Sequence, residues 1–359
     1  AFIQTKAIDK RLKEDGARIA QLSNICLENR KYDIALKCYE YIIGLGSGGT
    51  FYYDAKMNYL STRYKRFTED FSTSLADLQN LENEYLVSIN ELLTQDYAIQ
   101  LNIELSHLQA FYLGKKDEAV ARLKEIVNRN AGKPEEIAQA KMELADILIL
   151  QGDMWEPSLL YGQIEKDYKN DLIGQEAKFK NAKLSFYRCE FEWAQTQMDV
   201  LKASTSKLIS NDAIALSILI MDISGLDTTY DALATFARAD LYFYQNQLDL
   251  SMKCLDSLEL KYTYHSVLDD VKYKKAEVAI KKGDYEKAVG YFEEVATKFE
   301  DDILADDALF KMGDIYERKL NNPEKAAECY KKIIKDHKDS IYVVEARKRF
   351  NQLKGDDLN

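Results

Sequence analysis

Two neighbouring stretches decide the fold: VKYKKAEVAIKKGDYEKAVGYFEEVATKF at residues 271–299 and ALFKMGDIYERKLNNPEKAAECYKKIIKDH at residues 308–337. Each reads as a helical hairpin with a small residue in both helices and large apolar residues four and seven positions after the second one. These positions are Ala276, Ala288, Phe292 and Val295 in the first stretch, and Gly313, Ala326, Tyr330 and Ile333 in the second. Because antiparallel helices approach closely where side chains are small, the spacing predicts two similar hairpins packed end to end.

The same pattern recurs upstream, which predicts that most of the chain is built from such hairpins. The paired small sites are Ser23/Ala35, His107/Ala119, Ala145/Pro157, Ala182/Ala194 and Ala239/Ser251. Successive second sites lie mostly 37 or 38 residues apart, with one gap of 84 and one of 57. The longer gap predicts a further hairpin, with helices near Tyr52–Arg66 and Thr73–Leu93. The shorter one predicts an additional apolar helix near Lys207–Ile223, which we expect to interrupt the regular stacking.

This arrangement resembles the tetratricopeptide repeat (TPR), a helix–turn–helix unit that pairs small residues in its two helices. The resemblance implies an all-α, right-handed α-α superhelix of about eight helical hairpins with one extra helix, and a general role in protein binding. DDALFKMGDIYE at residues 306–317 and HKDSIYVVEARKRF at residues 337–350 are similar to repeats of bacterial envelope proteins, including outer-membrane assembly lipoproteins.

Three regions follow from the repeat positions. Residues 1–204 are predicted to form an N-terminal TPR array, residues 205–228 the extra apolar helix and a linker, and residues 229–359 a C-terminal TPR array. A final helix ending near Leu353 is expected to cap the last array. On it, the basic residues at 347–349, Arg-Lys-Arg, should face solvent.

The composition favours a protein-binding role. A hydrophobic content of 46% with three Pro suits a continuous helical core, while a net charge of −11 argues against nucleic acid as a partner. The longest apolar run, Ala213–Met221, is too short to span a membrane. The sequence opens at Ala1 without Met or a signal peptide, so we expect a processed or trimmed chain.

Four features could carry chemistry, and each has a simpler interpretation. The Gly44–Gly49 stretch matches GxGxxG but lies between predicted helices, so we interpret it as a loop and not a dinucleotide site. Glu104 and His107 share a helix face, but no second pair completes a metal site. Cys26 and Cys38 are the one pair placed for a disulfide. The acidic residues 300–307 lack a calcium-loop pattern and suit a helix start. We therefore predict no cofactor, no metal site and no enzyme activity.

The TPR resemblance also implies which residues line the inner surface. Carried onto this chain, the positions three before and one after the first small site give mostly aromatic rings flanked by acids. The predicted partner-binding residues are Met142, Phe179, Lys183, Phe236, Asp240, Tyr273, Glu277, Phe310 and Asp314. The rings could equally pack between neighbouring helices, but unpaired carboxylates are costly to bury. Together they suggest a basic or amide-rich protein segment as the partner, with Lys274 nearby on the protein surface.

Two functions remain open from the sequence. The first is a non-enzymatic TPR scaffold that binds a protein or peptide segment in its groove within a bacterial envelope assembly. The second is a regulatory or substrate-holding arm of an enzyme whose catalytic part lies elsewhere. Periplasmic or envelope-associated localisation goes with the first function, with a cytoplasmic location as the alternative. The sequence identifies neither the partner nor the oligomeric state.

Overall fold

The protein is all-α in a computed structural model that describes residues 1–69, 74–92, 95–130, 132–204, 207–225, 229–263, 265–300 and 302–355. Within these ranges there are nineteen helices and no β-strand. Contacts divide the chain into two compact units, Ala1–Lys178 and Phe179–Asn359, and the boundary falls inside the tenth helix. We predicted from the repeat pattern that residues 205–228 separate two TPR arrays. The division into compact units is a different property, so that prediction stays a prediction.

The first unit contains one leading helix and four hairpins, followed by the start of the tenth helix. Its helices are α1 (Phe2–Leu12), α2 (Ala17–Glu28), α3 (Tyr32–Ile43), α4 (Tyr52–Glu69), α5 (Leu75–Glu91), α6 (Gln95–Phe111), α7 (Lys116–Arg129), α8 (Pro134–Gln151) and α9 (Glu156–Asp167). The hairpin α4/α5 is the one predicted from the gap of 84 residues; Thr73 and Leu93 lie outside the described residues. The sequence pattern gave no indication of α1.

The second unit contains four hairpins, the predicted extra helix and the predicted final helix. Its helices are α10 (Leu172–Tyr187), α11 (Phe191–Ser204), α12 (Lys207–Ser224), α13 (Asp231–Tyr244), α14 (Leu248–Lys261), α15 (Val267–Lys282), α16 (Tyr285–Lys298), α17 (Leu304–Arg318), α18 (Pro323–Asp336) and α19 (Val343–Lys354). The eight hairpins are thus confirmed, and α12 matches the extra helix expected near Lys207–Ile223.

The small residues lie at the helix crossings, as their spacing predicts. Ala276, Ala288 and Ala326 are completely buried, and Phe292 and Tyr330 fill the space one turn beyond. At the crossing of α17 and α18, a Cβ atom added to Gly313 would lie 2.5 Å from Cε1 of Tyr330. Only a residue without a side chain fits there, which explains the small residue in the pattern.

Both halves of the extra helix α12 pack against other helices of the second unit. Its first half buries Ile209 and Ala213 against Leu201 of α11, and its second half buries Ile220 and Ile223 in the core that α13 and α15 share. Ser217 accepts a 2.6 Å hydrogen bond from the Gln195 side chain of α11. These contacts hold α12 next to α13 and α15 and make it one wall of the cavity described below.

In the described part of the chain, no helix combines the length and the apolar character needed to cross a lipid bilayer.

Candidate protein-binding site

A cavity of about 440 Å³ lies entirely within the second unit. Its walls come from α10, α12, α13, α15 and the residues that begin α17. We call it the unit-2 cavity. The α12 wall contributes Ala215, Leu216 and Leu219, while Phe236 and Tyr273 face them from α13 and α15. A volume of this size suits one or two side chains of a bound segment, with apolar walls and polar groups at fixed positions.

Six of the nine predicted partner-binding residues line the unit-2 cavity. They are Phe179, Lys183, Phe236, Asp240, Tyr273 and Glu277. Phe236 is 4% exposed and belongs to the core, and Tyr273 packs edge-on against Phe292 with ring centroids 5.1 Å apart. These rings therefore pack in the core and also line the cavity, while their role in partner binding stays a prediction.

The predicted acids Asp240 and Glu277 are paired inside the protein. The Lys274 ammonium lies 2.9 Å from Asp240 Oδ1 and 2.7 Å from Glu277 Oε2. Lys183 Nζ lies 3.6 Å from Asp240 Oδ2, and the Tyr187 hydroxyl donates a 3.0 Å hydrogen bond to the same oxygen. We call these five side chains the ion-pair network. The expectation that Lys274 lies on the surface is wrong, because its side chain is only 17% exposed.

The ion-pair network keeps Asp240 ionised although it is buried. Burial alone would raise the pKa of Asp240, but Lys274, Lys183 and the hydrogen bonds outweigh it and hold that pKa well below its usual range. Burial would likewise lower the pKa of Lys274, yet Asp240 and Glu277 raise it above the ordinary lysine value. The charges at this part of the cavity are therefore already balanced within the chain.

A second group of carboxyls lines the same cavity and was not among the predicted site residues. Asp222 lies at the end of α12, Asp269 and Asp270 in the first turn of α15, and Asp302 just before α17. We call these four residues the acidic cluster. Ser266 Oγ donates a 2.8 Å hydrogen bond to the Asp222 carbonyl oxygen, which ties the end of α12 to the start of α15.

The acidic cluster has no ion-pair partner among the described residues, in contrast to the ion-pair network. Burial, followed by the charge of Asp302, raises the pKa of Asp269 to about 7, and burial also raises the pKa of Asp270 well above its usual value. The pKa of Asp222 is raised as well, again mainly because of burial. In the described residues, no group of His, Cys, Asp and Glu side chains is arranged to hold a metal ion.

Two further predicted residues, Phe310 and Asp314, are covered by the final helix. Arg349 of α19 donates a 2.6 Å hydrogen bond to Asp314 Oδ1, and its guanidinium carbon lies 5.1 Å from the Phe310 ring centre. The Tyr342 ring stacks on the Phe310 ring, with ring centroids 4.4 Å apart. The expectation that Arg349 faces solvent is therefore wrong, whereas Arg347 is exposed as predicted.

The ninth predicted residue, Met142, belongs to the first unit. It lies in α8, is 7% exposed and forms part of the buried core there. The burial of Met142 agrees with the interpretation that the large side chains three positions before the first small site pack between neighbouring helices. The part of the predicted ladder on α10, α13 and α15 borders the unit-2 cavity.

The other sequence motifs lie in ordinary helical surroundings. The Gly44–Gly49 stretch joins α3 to α4 directly. His107 Nδ1 lies 2.8 Å from Glu143 Oε1 and its ring stacks on Phe111, with ring centroids 4.2 Å apart. All five cysteines are free thiols, and burial raises the pKa of Cys38 to about 12. In the acidic stretch 300–307, Asp301 lies outside the described residues.

Comparison with known protein families agrees with this architecture. Residues 270–302 and 307–340 match a tetratricopeptide repeat family model, and these ranges cover hairpins α15/α16 and α17/α18. Over these two ranges the chain is similar to tetratricopeptide repeats. Proteins with this repeat are typically non-catalytic scaffolds that bind other proteins. A search of curated protein sequences finds no match.

Several solved structures are similar to this chain over most of its length. A tetratricopeptide repeat protein from Parabacteroides merdae is 14% identical, with 83% of this chain and 99% of that chain covered and a TM-score of 0.33. The apo form of RapI is 12% identical, with 95% and 97% covered and a TM-score of 0.39. Yeast Tom70 is 14% identical, with 97% and 82% covered and a TM-score of 0.30. Similarity at this level carries no functional information.

Proposed function

We propose that this protein is a non-enzymatic TPR scaffold and that its unit-2 cavity binds a segment of a partner protein. The observation that carries the proposal is the cavity of about 440 Å³ between α12 and the inner helices α10, α13 and α15. Six residues that the TPR resemblance assigns to partner binding line it.

The walls of the cavity suit a segment that inserts side chains. Phe179 and Leu216 are half-buried, so their remaining apolar surface is available to a ligand. At the mouth, Ala215 and Ile303 are exposed, and Ile303 is 57% exposed. Burying such apolar surface favours binding by roughly 25 cal/mol per Å², and the fixed polar groups would set the orientation of the segment.

We further propose that the protein acts within a bacterial envelope assembly. It is supported by the resemblance of residues 306–317 and 337–350 to repeats of envelope proteins. The alternative role, an arm that holds a substrate for an enzyme on another chain, would use the same cavity.

The experiment blocks the mouth of the cavity without removing core contacts. Ala215 is exposed on α12 and lines the cavity, so Ala215→Trp should fill it. Ile214 precedes it on the same helix, is 38% exposed and does not line the cavity, so Ile214→Trp is the matched control. A library of random linear peptides displayed on phage is selected on the immobilised full-length chain, and selected peptides are then measured on both variants.

The proposal predicts peptides that bind the wild-type chain and Ile214→Trp but lose at least about tenfold in affinity on Ala215→Trp. Circular dichroism and urea unfolding establish that both variants remain folded. Selection of no peptide, or of peptides that bind the two variants equally well, would contradict a segment-binding cavity in the second unit.

A further inference from the structure

We propose that the last two turns of α12, residues 218–224, occupy the surface of α13 and α15 to which the partner binds, and that the partner binds as a helix which takes their place. The inference rests on the proposed function and specifies the form of the bound segment. We call residues 218–224 the docked segment. Its apolar spacing, its contacts with α13 and α15 and the cavity left beside it support the proposal.

The docked segment packs as an amphipathic helix packs in a groove. Its apolar residues Leu219, Ile220 and Ile223 continue the face that Leu216 begins, which gives the spacing i, i+3, i+4 and i+7. All four side chains pack against the core that α13 and α15 share, whereas Met221 on the other face is 53% exposed. Helices that bind a groove in another protein use the same spacing of apolar anchors.

The two halves of α12 are held by different elements. The first half is buried against α11, and Ser217 accepts a 2.6 Å hydrogen bond from the Gln195 side chain of α11. The docked segment follows Ser217 and is joined to the start of α15 by the hydrogen bond from Ser266 Oγ to the Asp222 carbonyl oxygen. The docked segment can therefore separate from α13 and α15 while the first half of α12 stays on α11.

The docked segment fills its place incompletely. The unit-2 cavity of about 440 Å³ remains between α12 and the rings of Phe236 and Tyr273, and Leu219 lines it. Atoms beside such a space lack van der Waals contacts on one side. A helix with an aromatic residue at the position of Leu219 would fill the cavity and bind this surface more tightly than the docked segment does. We therefore expect an amphipathic partner helix with one aromatic and two aliphatic anchors at the spacing of Leu219, Ile220 and Ile223.

The first test uses the wild-type chain and the peptides from the phage selection that lose affinity on Ala215→Trp. Amide hydrogen exchange is measured by mass spectrometry with and without saturating peptide. Binding should make exchange in residues 218–224 at least about tenfold faster, because the docked segment is displaced, and should slow exchange in α13 and α15. A ligand that binds beside a fixed α12 would slow exchange in α12 as well. Unchanged or slower exchange in residues 218–224 would overturn the inference and leave the proposed function intact.

The second test weakens the docked segment by Ile220→Ala with Ile223→Ala. The matched control is Leu255→Ala with Leu258→Ala, which removes side chains of α14 from the same core and outside the cavity lining. The same peptides, measured by fluorescence polarisation, should bind the α12 variant at least about tenfold more tightly than wild type, because their competitor is weakened, and the control no more tightly.

Circular dichroism establishes that both variants are folded, and the exchange measurement on the wild-type chain decides the matter if either is not. Unchanged or weaker binding of the peptides to a folded α12 variant would overturn the inference. Absence of any cavity-dependent peptide would overturn both the inference and the proposed function.

Discussion

The Lys274 ammonium on α15 lies 2.9 Å from the Asp240 carboxylate on α13. The pair joins two successive hairpins of the second unit, and Glu277 and Lys183 extend it along the cavity. Two acids that the sequence assigns to partner binding thus have partners in the chain itself. The acidic cluster differs, because it has no salt bridge to Lys or Arg among the described residues and Asp269 is hydrogen-bonded to Asp302 instead.

The first prediction concerns that pair. Lys274→Met should lower the free energy of unfolding by about 3–5 kcal/mol, because it leaves Asp240 buried with only the more distant Lys183 as a cation. Lys331→Met, on the exposed face of α18, should cost less than about 0.5 kcal/mol. Urea unfolding measures both. Adding Asp240→Asn should restore part of the stability lost in Lys274→Met, and equal, small losses in the two single variants would contradict the ion-pair assignment.

The second prediction concerns pH. The pKa of Asp269 is about 7 in the folded protein and lies above its ordinary value of 3.8, so the folded state binds the proton more tightly than the unfolded state. Its contribution to stability is therefore present at low pH and is lost as pH rises from about 4 to about 7. Asp269→Asn should be more stable than wild type near pH 8, by at most about 4 kcal/mol, and nearly equal to it near pH 4. Urea unfolding at the two pH values measures the difference; a wild-type advantage at pH 8 would contradict it.

The third prediction compares two glycines inside helices. Gly313→Ala should destabilise the protein by about 1–3 kcal/mol, because its Cβ would lie 2.5 Å from the ring of Tyr330, which is fully buried and donates a 2.8 Å hydrogen bond to Glu317. Gly290→Ala meets no atom within 4 Å and should stabilise by about 0.5–1 kcal/mol. Thermal unfolding distinguishes the two. Changes of the same sign would mean that the helix crossing is misplaced.

The fourth prediction concerns the final helix. Arg349→Met should loosen α19, because it removes the hydrogen bonds to Asp314 and Glu345 and the contact with Phe310. Amide hydrogen exchange across residues 343–354 should become faster, with little change in α13 and α15. Arg347→Met, at an exposed position of the same helix, is the control. Equal exchange in the two variants would show that Arg349 does not hold α19 in place.

The repeat pattern predicts the hairpins because it rests on a local rule. A small residue at a crossing and large residues one and two turns later reflect helix geometry, so Ala288, Phe292 and Val295 can be recognised without knowledge of the neighbours. The 20-residue excess between Ala194 and Ser251 likewise identifies α12, since an apolar stretch of that length suffices for one helix.

The site could be predicted only in part, because its chemistry depends on contacts between hairpins. The TPR resemblance implies that Asp240 and Glu277 lie on inner helices, but the sequence does not show that Lys274 reaches both of them. The acidic cluster combines residues from the end of α12 and the starts of α15 and α17, three elements whose relative positions no periodicity encodes. The expectation that Arg349 faces solvent is wrong for the same reason. The sequence shows its position along α19, but tertiary contacts decide which face of α19 packs on Phe310.

The central claim, that the unit-2 cavity holds a partner segment, is tested most directly by site-specific photo-crosslinking in the native cell. The photoreactive residue p-benzoylphenylalanine is placed at position 303, where Ile303 is 57% exposed at the mouth of the cavity, or at position 214, which is exposed on α12 and does not line the cavity. The account predicts a covalent adduct with a distinct protein from position 303 that is lost in the presence of Ala215→Trp, and little or none from position 214. Equal adducts from both positions, or none from position 303, would contradict it.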